Sequence, residues 1–579
     1  MSFGRQASPS LTSYSQNLPA DLEKAVDQAT TDWKGGRKTE RFWNRDAALW
    51  TDGDESKWLG WLDIVDSQLA EIAKFKALAA DVREDGFSHL LLLGMGGSSV
   101  APEVFSFTYG SQIGSPELLV LDSTDPVQIK NFRSRIDPAR TLFCVSSKSG
   151  TTLEPNIYMQ YFYDETRKVV ADRAGHHFIA ITDPGSKLEG VAAKLGFRHV
   201  YHGVPSIGGG YSALSDFGLI PHAAAGYDTE KLLKRTATMV DACKNRNPAE
   251  NPGVKLGLLL GTASAKFQRD KVTLICSRSI HDLGAWLEQL LAESTGKQGY
   301  GLIPIDREPF ALTEDYGSDR VFAYIKFARD NDSAMEEHVS ELESAGQPVV
   351  RIVMDDLYDL GQVFFHWEVA TAVAGSVIGI DAFNQPDVET TKVVTRELTS
   401  EFEKTGSLPR EEPVVDSDGI KLFTDEANAK AISQGGSTIG AMIRGHLDRI
   451  KPGDYFGLLA YIPMFAEHEE KLHRIREQVL RSKHVATVLG FGPRFLHTTG
   501  QAYKGGPNSG VFVQITCDEP DDLPVPEAKY TFGFVKAAQA RGDFQVLAER
   551  KRRAVRIHLG KNVGAELERL TDLISAAVE

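Results

Sequence analysis

Short apolar runs, each followed by a turn of small polar residues, recur through the first two thirds of the chain. Residues 90–93 are four leucines that lead into a Gly/Ser turn at 94–99, and residues 141–145 lead in the same way into 146–152. A buried strand, a tight turn and a helix start form the repeating unit of a parallel α/β sheet, which binds ligands at the carboxyl ends of its strands. The pattern therefore predicts an α/β protein with doubly wound parallel sheets.

Two such α/β halves and a third α/β unit follow one another along the chain. Five of the seven tryptophans precede them, in a segment that is interpreted as a helical arm packed on the first half. A charged, proline-containing stretch after the second half is typical of a linker. The predicted boundaries are 1–63 for the arm, 64–235 and 236–400 for the two halves, 401–419 for the linker and 420–579 for the C-terminal α/β domain.

Composition and charge narrow the class of partner. The net charge of −15 argues against nucleic acid and against anionic membranes. No apolar run reaches the length of a membrane span, and the polar, serine-rich start lacks the apolar core of a signal peptide. The four scattered cysteines indicate buried thiols rather than disulfides or a metal site. We expect a cytoplasmic protein whose ligand is a small molecule.

The turn at residues 146–152 carries the strongest chemical signal, because five hydroxyls and one lysine fall within seven positions. Hydroxyls and free amides at a helix start donate hydrogen bonds to a phosphate monoester. The turn at 94–99 fits neither the dinucleotide fingerprint nor the Walker A pattern. Each turn alone could be an ordinary strand-to-helix turn capped by Ser or Thr. A third glycine-rich turn, at 208–210, also indicates that something approaches its backbone closely.

Isomerisation between an aldose and a ketose needs a base that moves a proton between C2 and C1, and Glu293 is the best candidate. It follows an apolar run, which predicts partial desolvation and a raised pKa. The alternative is a solvated glutamate at a helix end. Lys392 could reach a sugar ring, although a lone lysine is more often on the surface. His366, in an apolar helix, is interpreted as structural.

Four motifs together resemble the phosphoglucose isomerase family: residues 94–99, 147–152, 292–297 and 383–392. The resemblance implies two domains of the sugar isomerase (SIS) type, and it is closest to the isomerase half of transaldolase–phosphoglucose isomerase fusion proteins. It implies that Glu293 and Lys392 are catalytic and that no cofactor or metal takes part. It also implies the substrate and phosphate contacts, which are Gly97, Ser98, Ser147, Lys148, Ser149, Thr151, Thr152, Gly209 and Gln385.

Three positions depart from the family pattern. Gly210 stands where the family has an arginine that stabilises the enediolate. Residues 316–320 align with the region of the ring-opening histidine but contain none, and Tyr503 replaces a histidine typical of the fusion proteins, with His497 nearby as a weak substitute. Arg320 or Lys392 could supply the missing positive charge.

The resemblance implies a glucose 6-phosphate/fructose 6-phosphate isomerase of carbohydrate metabolism, weakened at Gly210 and possible as a homodimer. Two alternatives remain open from the sequence. One is a phosphosugar-binding regulatory or scaffolding protein without turnover. The other is an isomerase of a different anionic sugar, because hydroxyl donors do not strongly separate a phosphate from a sulfonate.

Overall fold

The computed structural model describes residues 10–386, 397–399, 404, 407–417 and 419–579, and the described strands form three sheets. The fold class is the predicted one, mixed α/β with largely parallel sheets. The predicted domain boundaries stay a proposal, in which each sheet is the centre of one α/β domain.

The N-terminal arm is helical only in part. It opens with the strand β1 (Ser13–Asn17), which pairs antiparallel with the edge of the second sheet. The prediction of a helical arm missed this strand because its sequence is polar and its side chains alternate only between exposed and half-buried. Trp33 and Trp61 are buried, and Trp61 stacks on Tyr211 with ring centroids 5.0 Å apart. The helices are α1 (Ala20–Gly35), α2 (Lys38–Trp43), α3 (Ile64–Ala70) and α4 (Ile72–Glu84).

The first sheet is parallel throughout, in the order β3-β2-β4-β5-β6. Its central strands are buried on both faces, which explains their unbroken apolar runs. The strands are β2 (His89–Leu93), β3 (Glu117–Leu121), β4 (Thr141–Ser146), β5 (Phe178–Thr182) and β6 (His199–His202). The helices are α5 (Val100–Tyr109), α6 (Pro126–Arg135), α7 (Leu153–Val170), α8 (Lys187–Leu195), α9 (Asp216–Ala224) and α10 (Thr229–Cys243).

The second sheet has the order β1-β10-β9-β7-β8, with every pair parallel except the one that β1 adds. Its own strands are β7 (Lys271–Cys276), β8 (Ile303–Asp306), β9 (Arg320–Phe327) and β10 (Val349–Met354). The helices are α11 (Pro252–Phe267), α12 (Leu283–Thr295), α13 (Ser333–Ser344) and α14 (Leu360–Ile378). One apolar cluster joins residues of the first two sheets, so these two halves share a core.

The third sheet has the order β11-β12-β16-β15-β13-β14. The strand β11 falls inside the predicted linker, so that part of the linker prediction is wrong; three residues of mixed exposure carry too little apolar signal to be seen. The strands are β11 (Val415–Ser417), β12 (Ile420–Phe423), β13 (Tyr455–Tyr461), β14 (Ala486–Phe491), β15 (Gly510–Cys517) and β16 (Arg553–Leu559). The helices are α15 (Glu426–Ile432), α16 (Ile439–Leu447), α17 (Ala466–Lys483), α18 (Gly500–Gly505), α19 (Phe532–Glu549) and α20 (Val563–Val578).

The C-terminal domain packs on the carboxyl edge of the first sheet. Apolar residues of α19 and of the segment before it join the cluster on one face of that sheet. Buried polar contacts cross the same interface: Lys536 pairs with Asp125 at 2.6 Å, and Thr124 donates to Gln539 at 2.7 Å. Because β3 ends just before Thr124, these contacts place α19 over the edge where ligands bind in parallel sheets.

Candidate active site

The turn after β2 is pressed against two other segments of the chain. Gly96 has a left-handed backbone (φ +53°), and a Cβ there would lie 2.5 Å from the carbonyl oxygen of His497. A Cβ on Gly97 would lie 2.2 Å from the carbonyl oxygen of Gly209. Both distances are too short for any side chain, so this turn requires glycine. The contact also brings the predicted residues Gly97 and Gly209 together.

The turn after β4 holds two buried hydroxyls that have no hydrogen-bond partner in the described part of the chain. These are Ser146 and Ser147, which are 0% and 3% exposed. Thr152 ends the turn in an extended conformation, and the helix α7 begins at the next residue. Buried hydroxyls without partners cost free energy unless a ligand or water satisfies them, and the amino end of a helix favours an anion. The turn is therefore suited to hold phosphate.

Lys148 does not present its ammonium as a free donor. Its Nζ lies 2.6 Å from Asp183 Oδ2 and 3.1 Å from the carbonyl oxygen of Pro205. The Ser149 and Thr151 hydroxyls are 2.9 Å apart and exposed. The donors of this turn that suit a phosphate are thus hydroxyls and amides. The lysine is bound to Asp183, a carboxylate that is distant from it in sequence.

Glu293 is buried near the end of α12, a helix whose interior positions are almost entirely buried. Its Oε2 accepts a hydrogen bond of 2.9 Å from Gln289 Nε2, one helical turn earlier. Gln289 is itself only 1% exposed, so this amide orients the carboxylate. Sequence reasoning missed Gln289, although the i, i+4 spacing on one helix face was a usable signal.

The glycine triplet lies directly against the Glu293 carboxylate. A Cβ on Gly209 would be 3.4 Å from Oε1, and a Cβ on Gly210 would be 3.3 Å from Oε2. The amide nitrogen of Gln385 would be 3.8 Å from the same Gly209 position. Glu293, Gly209 and Gln385 are therefore neighbours. Lys392 lies outside the described residues.

The first and second sheets contribute to this site from opposite edges. The first sheet offers the carboxyl ends of β2 and β4, as expected. The second sheet contributes through the last turn of α12, and Thr295 at that end exchanges hydrogen bonds with Leu302, just before β8 begins. We expected the carboxyl ends of both sheets. The second half of that expectation is wrong, because a helix between parallel strands returns to the amino edge before the next strand starts.

A histidine from the C-terminal domain reaches the first domain. His497 Nε2 lies 2.9 Å from Glu154 Oε1 in the first turn of α7, and Gln539 Nε2 of α19 donates to the same oxygen at 2.6 Å. Glu154 is 4% exposed. The pair spans 343 positions of sequence, which local patterns cannot predict. Since His497 and Gln289 both contact the position of a Gly96 Cβ, this histidine borders the site.

An arginine and two carboxylates form ion pairs at the same edge of the first sheet. Arg494 contacts Glu103 at 2.6 Å and Asp122 at 2.7 Å. Burial raises the pKa of Asp122 to about 6, and Arg494 opposes that rise. The contacts fix the segment that carries His497 onto the first domain.

Other candidates from the sequence lie elsewhere. Arg320 begins β9, is fully buried and pairs with Glu308 at 2.7 Å, so it does not supply the missing charge. Tyr503 packs among Tyr455 and Phe512 in an apolar cluster. Burial lowers the pKa of His366 to about 4, and its Nε2 lies 3.0 Å from the Pro252 carbonyl oxygen, as a structural histidine would.

Two further kinds of feature are absent from the part of the chain that is described. None of its helices is long and apolar enough to cross a bilayer. No group of three or more His, Cys, Asp or Glu side chains in these residues is arranged to hold a metal ion.

The solved structures define the class of fold. A hypothetical protein from Thermus thermophilus aligns with a TM-score of 0.57 and 22% identity over 66% of this chain and 99% of its own. A glucose-6-phosphate isomerase from Chlamydia trachomatis aligns with a TM-score of 0.57 and 18% identity over 68% and 89%. About two thirds of this chain therefore share the fold of these two proteins.

The sequence comparisons then show similarity to one family. Residues 74–301 match the family model of phosphoglucose isomerase. The chain is 25% identical over 375 residues to a probable glucose-6-phosphate isomerase of Methanococcus maripaludis, covering 58% of this chain and 83% of the relative. It is 27% identical over 385 residues to the glucose-6-phosphate isomerase of Carboxydothermus hydrogenoformans, covering 57% and 82%. The resemblance to the phosphoglucose isomerase family that the motifs indicated is confirmed over residues 74–301. The closer resemblance to the fusion proteins stays a prediction.

Proposed function

We propose that the chain interconverts glucose 6-phosphate and fructose 6-phosphate through an enediolate. One observation carries the proposal: the buried Glu293 carboxylate lies against the turn at Gly209 and Gly210, and that turn touches Gly97 beside the phosphate-suited edge of the first sheet. A base is thereby brought to a place where a phosphosugar can lie. The names of the relatives agree with this reaction.

In the proposed reaction Glu293 removes the proton from C2 of the open-chain aldose. The electron pair of the C–H bond forms the C1–C2 double bond of the enediolate, and the negative charge develops on O1. Glu293 then delivers the proton to C1 while a proton moves from O2 to O1, so the atoms balance without an oxidant or reductant. Burial supports this role, because a desolvated carboxylate is a stronger base. Gln289 keeps the carboxylate in one orientation.

The phosphate group would bind at residues 146–152. The Ser147 hydroxyl, buried and without a partner among the described residues, gains one there. Backbone amides at the start of α7 add donors. Gln385 borders Gly209 and is placed to contact the sugar.

Ring opening needs an acid and a base, and we assign it to His497. Its imidazole is held by Glu154, which orients the ring. His497 belongs to the same chain, so this assignment needs no partner subunit. The homodimer remains a prediction that light scattering would test, and the cytoplasmic location remains one that cell fractionation would test.

Gly210 predicts slow turnover. The family arginine at this position would face the enediolate, and Gly210 has no side chain to do so. Loss of one donor to a developing oxyanion costs about 10²–10³ in rate. The same observation supports the second candidate, a phosphosugar-binding protein without turnover.

A coupled assay with glucose 6-phosphate, run beside a binding titration, tests the proposal. Fructose 6-phosphate formation supports the isomerase. Binding without turnover supports the second candidate. Neither binding nor turnover means that the anionic sugar is a different one, and a panel of sugar phosphates and sulfonates would then identify it.

A further inference from the structure

A second cleft lies at the carboxyl edge of the third sheet, away from Glu293. Its volume is about 370 Å³, within the range of small-molecule pockets. Residues at the ends of β13, β15 and β16 form its floor, and α19 and β12 form its walls. The crossover from β13 leads outward to β14, whereas the one from β15 leads the other way to β16. The sheet changes direction there, as at the ligand sites of open α/β sheets.

Two arginines in this cleft share one carboxylate oxygen. Arg541 Nε and Arg556 Nη2 lie 2.9 and 2.7 Å from Glu411 Oε2. The Arg556 guanidinium is fixed by the ring of Phe423, whose centroid is 4.4 Å away. Two planar donors that converge on one oxygen form the arrangement that binds a carboxylate or a phosphate.

The cations of this cleft differ in their partners. Lys536 pairs with Glu519 at 2.5 Å and with Asp125 at 2.6 Å, and His558 contacts Asp518 at 3.2 Å. Lys421 lines the cleft and makes no ion pair within the residues that the structure describes. Lys421 therefore adds a positive charge to the cleft that holds the Glu411 carboxylate and its two arginines.

Glu411 is held less firmly than the arginines it contacts. It lines the cleft from the segment before β11, outside the third sheet. Its side chain is 36% exposed, against 5% for Arg556. Water can therefore solvate the Glu411 carboxylate once it leaves the arginines, so a ligand with more negative charge can replace it.

We propose that this cleft is a second ligand site, for a small multivalent oxyanion, and that Glu411 is its internal occupant. A phosphorylated compound and a polycarboxylate share the chemistry that the arginines recognise. The ligand would bind both guanidinium groups and Lys421 and would displace Glu411. The proposal rests on the third domain alone and does not depend on the proposed isomerase activity.

The test measures binding of two probes, pyrophosphate and citrate, to the full chain by calorimetry at fixed low ionic strength. Glu411→Gln should tighten binding of at least one probe by about tenfold, because the internal competitor loses its charge. Arg541→Gln should weaken that binding by about tenfold or more. The preferred probe distinguishes a phosphate ligand from a carboxylate one.

Matched controls keep the outcome decisive. Arg474→Gln removes an exposed arginine of the same domain, paired with Glu568 outside the cleft, and should leave both affinities unchanged. Ser147→Ala removes a donor of the proposed active site and should not alter binding at the cleft. Thermal unfolding monitors folding of each variant. The proposal is overturned if neither probe binds, if Glu411→Gln binds no tighter than the parent, or if folded Arg541→Gln binds equally well.

Discussion

The carboxyl edges of the first and third sheets are both suited to an anion, but they use different donors. The first has neutral hydroxyls and amides, and its one lysine is bound to Asp183. The third has two arginines that share the Glu411 carboxylate, and Lys421 lines the same cleft. Neutral donors hold a phosphate without adding positive charge beside Glu293, so the carboxylate remains a base. A region that only binds has no such constraint and can use guanidinium groups.

This comparison of the two sheet edges is contradicted if the edge of the first sheet also binds a ligand without catalysing a reaction. Glu293→Gln tests this most strongly, because an amide keeps the shape and the contact with Gln289 but cannot take a proton. We expect the exchange of the C2 hydrogen with solvent to fall by at least about 10²–10⁴, with sugar-phosphate affinity nearly unchanged. The measurement is deuterium uptake at C2 beside a binding titration. Exchange at the parental rate would show that Glu293 is not the base.

Adding a cation to the first region is the next strongest test. Gly210→Arg points a side chain toward Glu293, since a Cβ there lies 3.3 Å from Oε2 and 3.5 Å from Leu290 Cα, and the glycine has no left-handed backbone. We expect kcat to rise by about 10²–10³ with little change in KM, because the guanidinium can stabilise the enediolate.

Two results would contradict the role of Gly210. One is a parent that already turns over like an ordinary isomerase. The other is a variant that is no faster, in which case the arginine pairs with Glu293 and weakens the base. Gly208→Arg is a matched control, because a Cβ there contacts, among the described residues, only the Phe383 carbonyl oxygen, at 3.6 Å. It should not raise the rate.

The sequence predicted those features that depend on the local pattern of apolar and polar residues. Apolar runs located the strands of the first sheet, and the burial of Glu293 follows from the apolar helix around it. It did not predict contacts that depend on tertiary folding. The Lys148–Asp183 pair joins two neighbouring strand ends, and the edge pairing of β1 with β10 joins residues more than 300 positions apart.

The same limit applies to His497, the histidine that we assign to ring opening. The resemblance pointed to residues 316–320, which hold no histidine, and gave His497 only as a weak substitute near Tyr503. Packing of the C-terminal domain brings His497 to the border of the site. Spacing along the chain carries no information about such a contact. The resemblance supplied the family, and only the fold supplied the partner of Glu154.

His497→Asn tests what the C-terminal domain contributes to the candidate active site. We expect kcat for glucose 6-phosphate to fall by roughly 10-fold to 10²-fold, because ring opening loses its acid and base. The effect should be smaller than that of Glu293→Gln, since ring opening also proceeds in water. A four-carbon aldose 4-phosphate cannot close a ring, so any C2 exchange on it should be unaffected. Glu154→Gln should act in the same direction. Equal losses on both substrates would mean that His497 is structural.

The smallest expected effect tests whether a neutral hydroxyl or a lysine ammonium binds the phosphate. Ser147→Ala removes one buried hydroxyl, and a hydrogen bond to a charged group contributes about 1.5–3 kcal/mol. We expect KM to rise by about tenfold with kcat nearly constant, measured in the coupled assay. Ser134→Ala, an exposed serine of α6 that bonds only to its own helix, is the matched control and should change neither constant. If Ser147→Ala left KM unchanged while Lys148→Gln raised it, the phosphate would be held by the lysine after release from Asp183. The two edges would then use the same cationic chemistry.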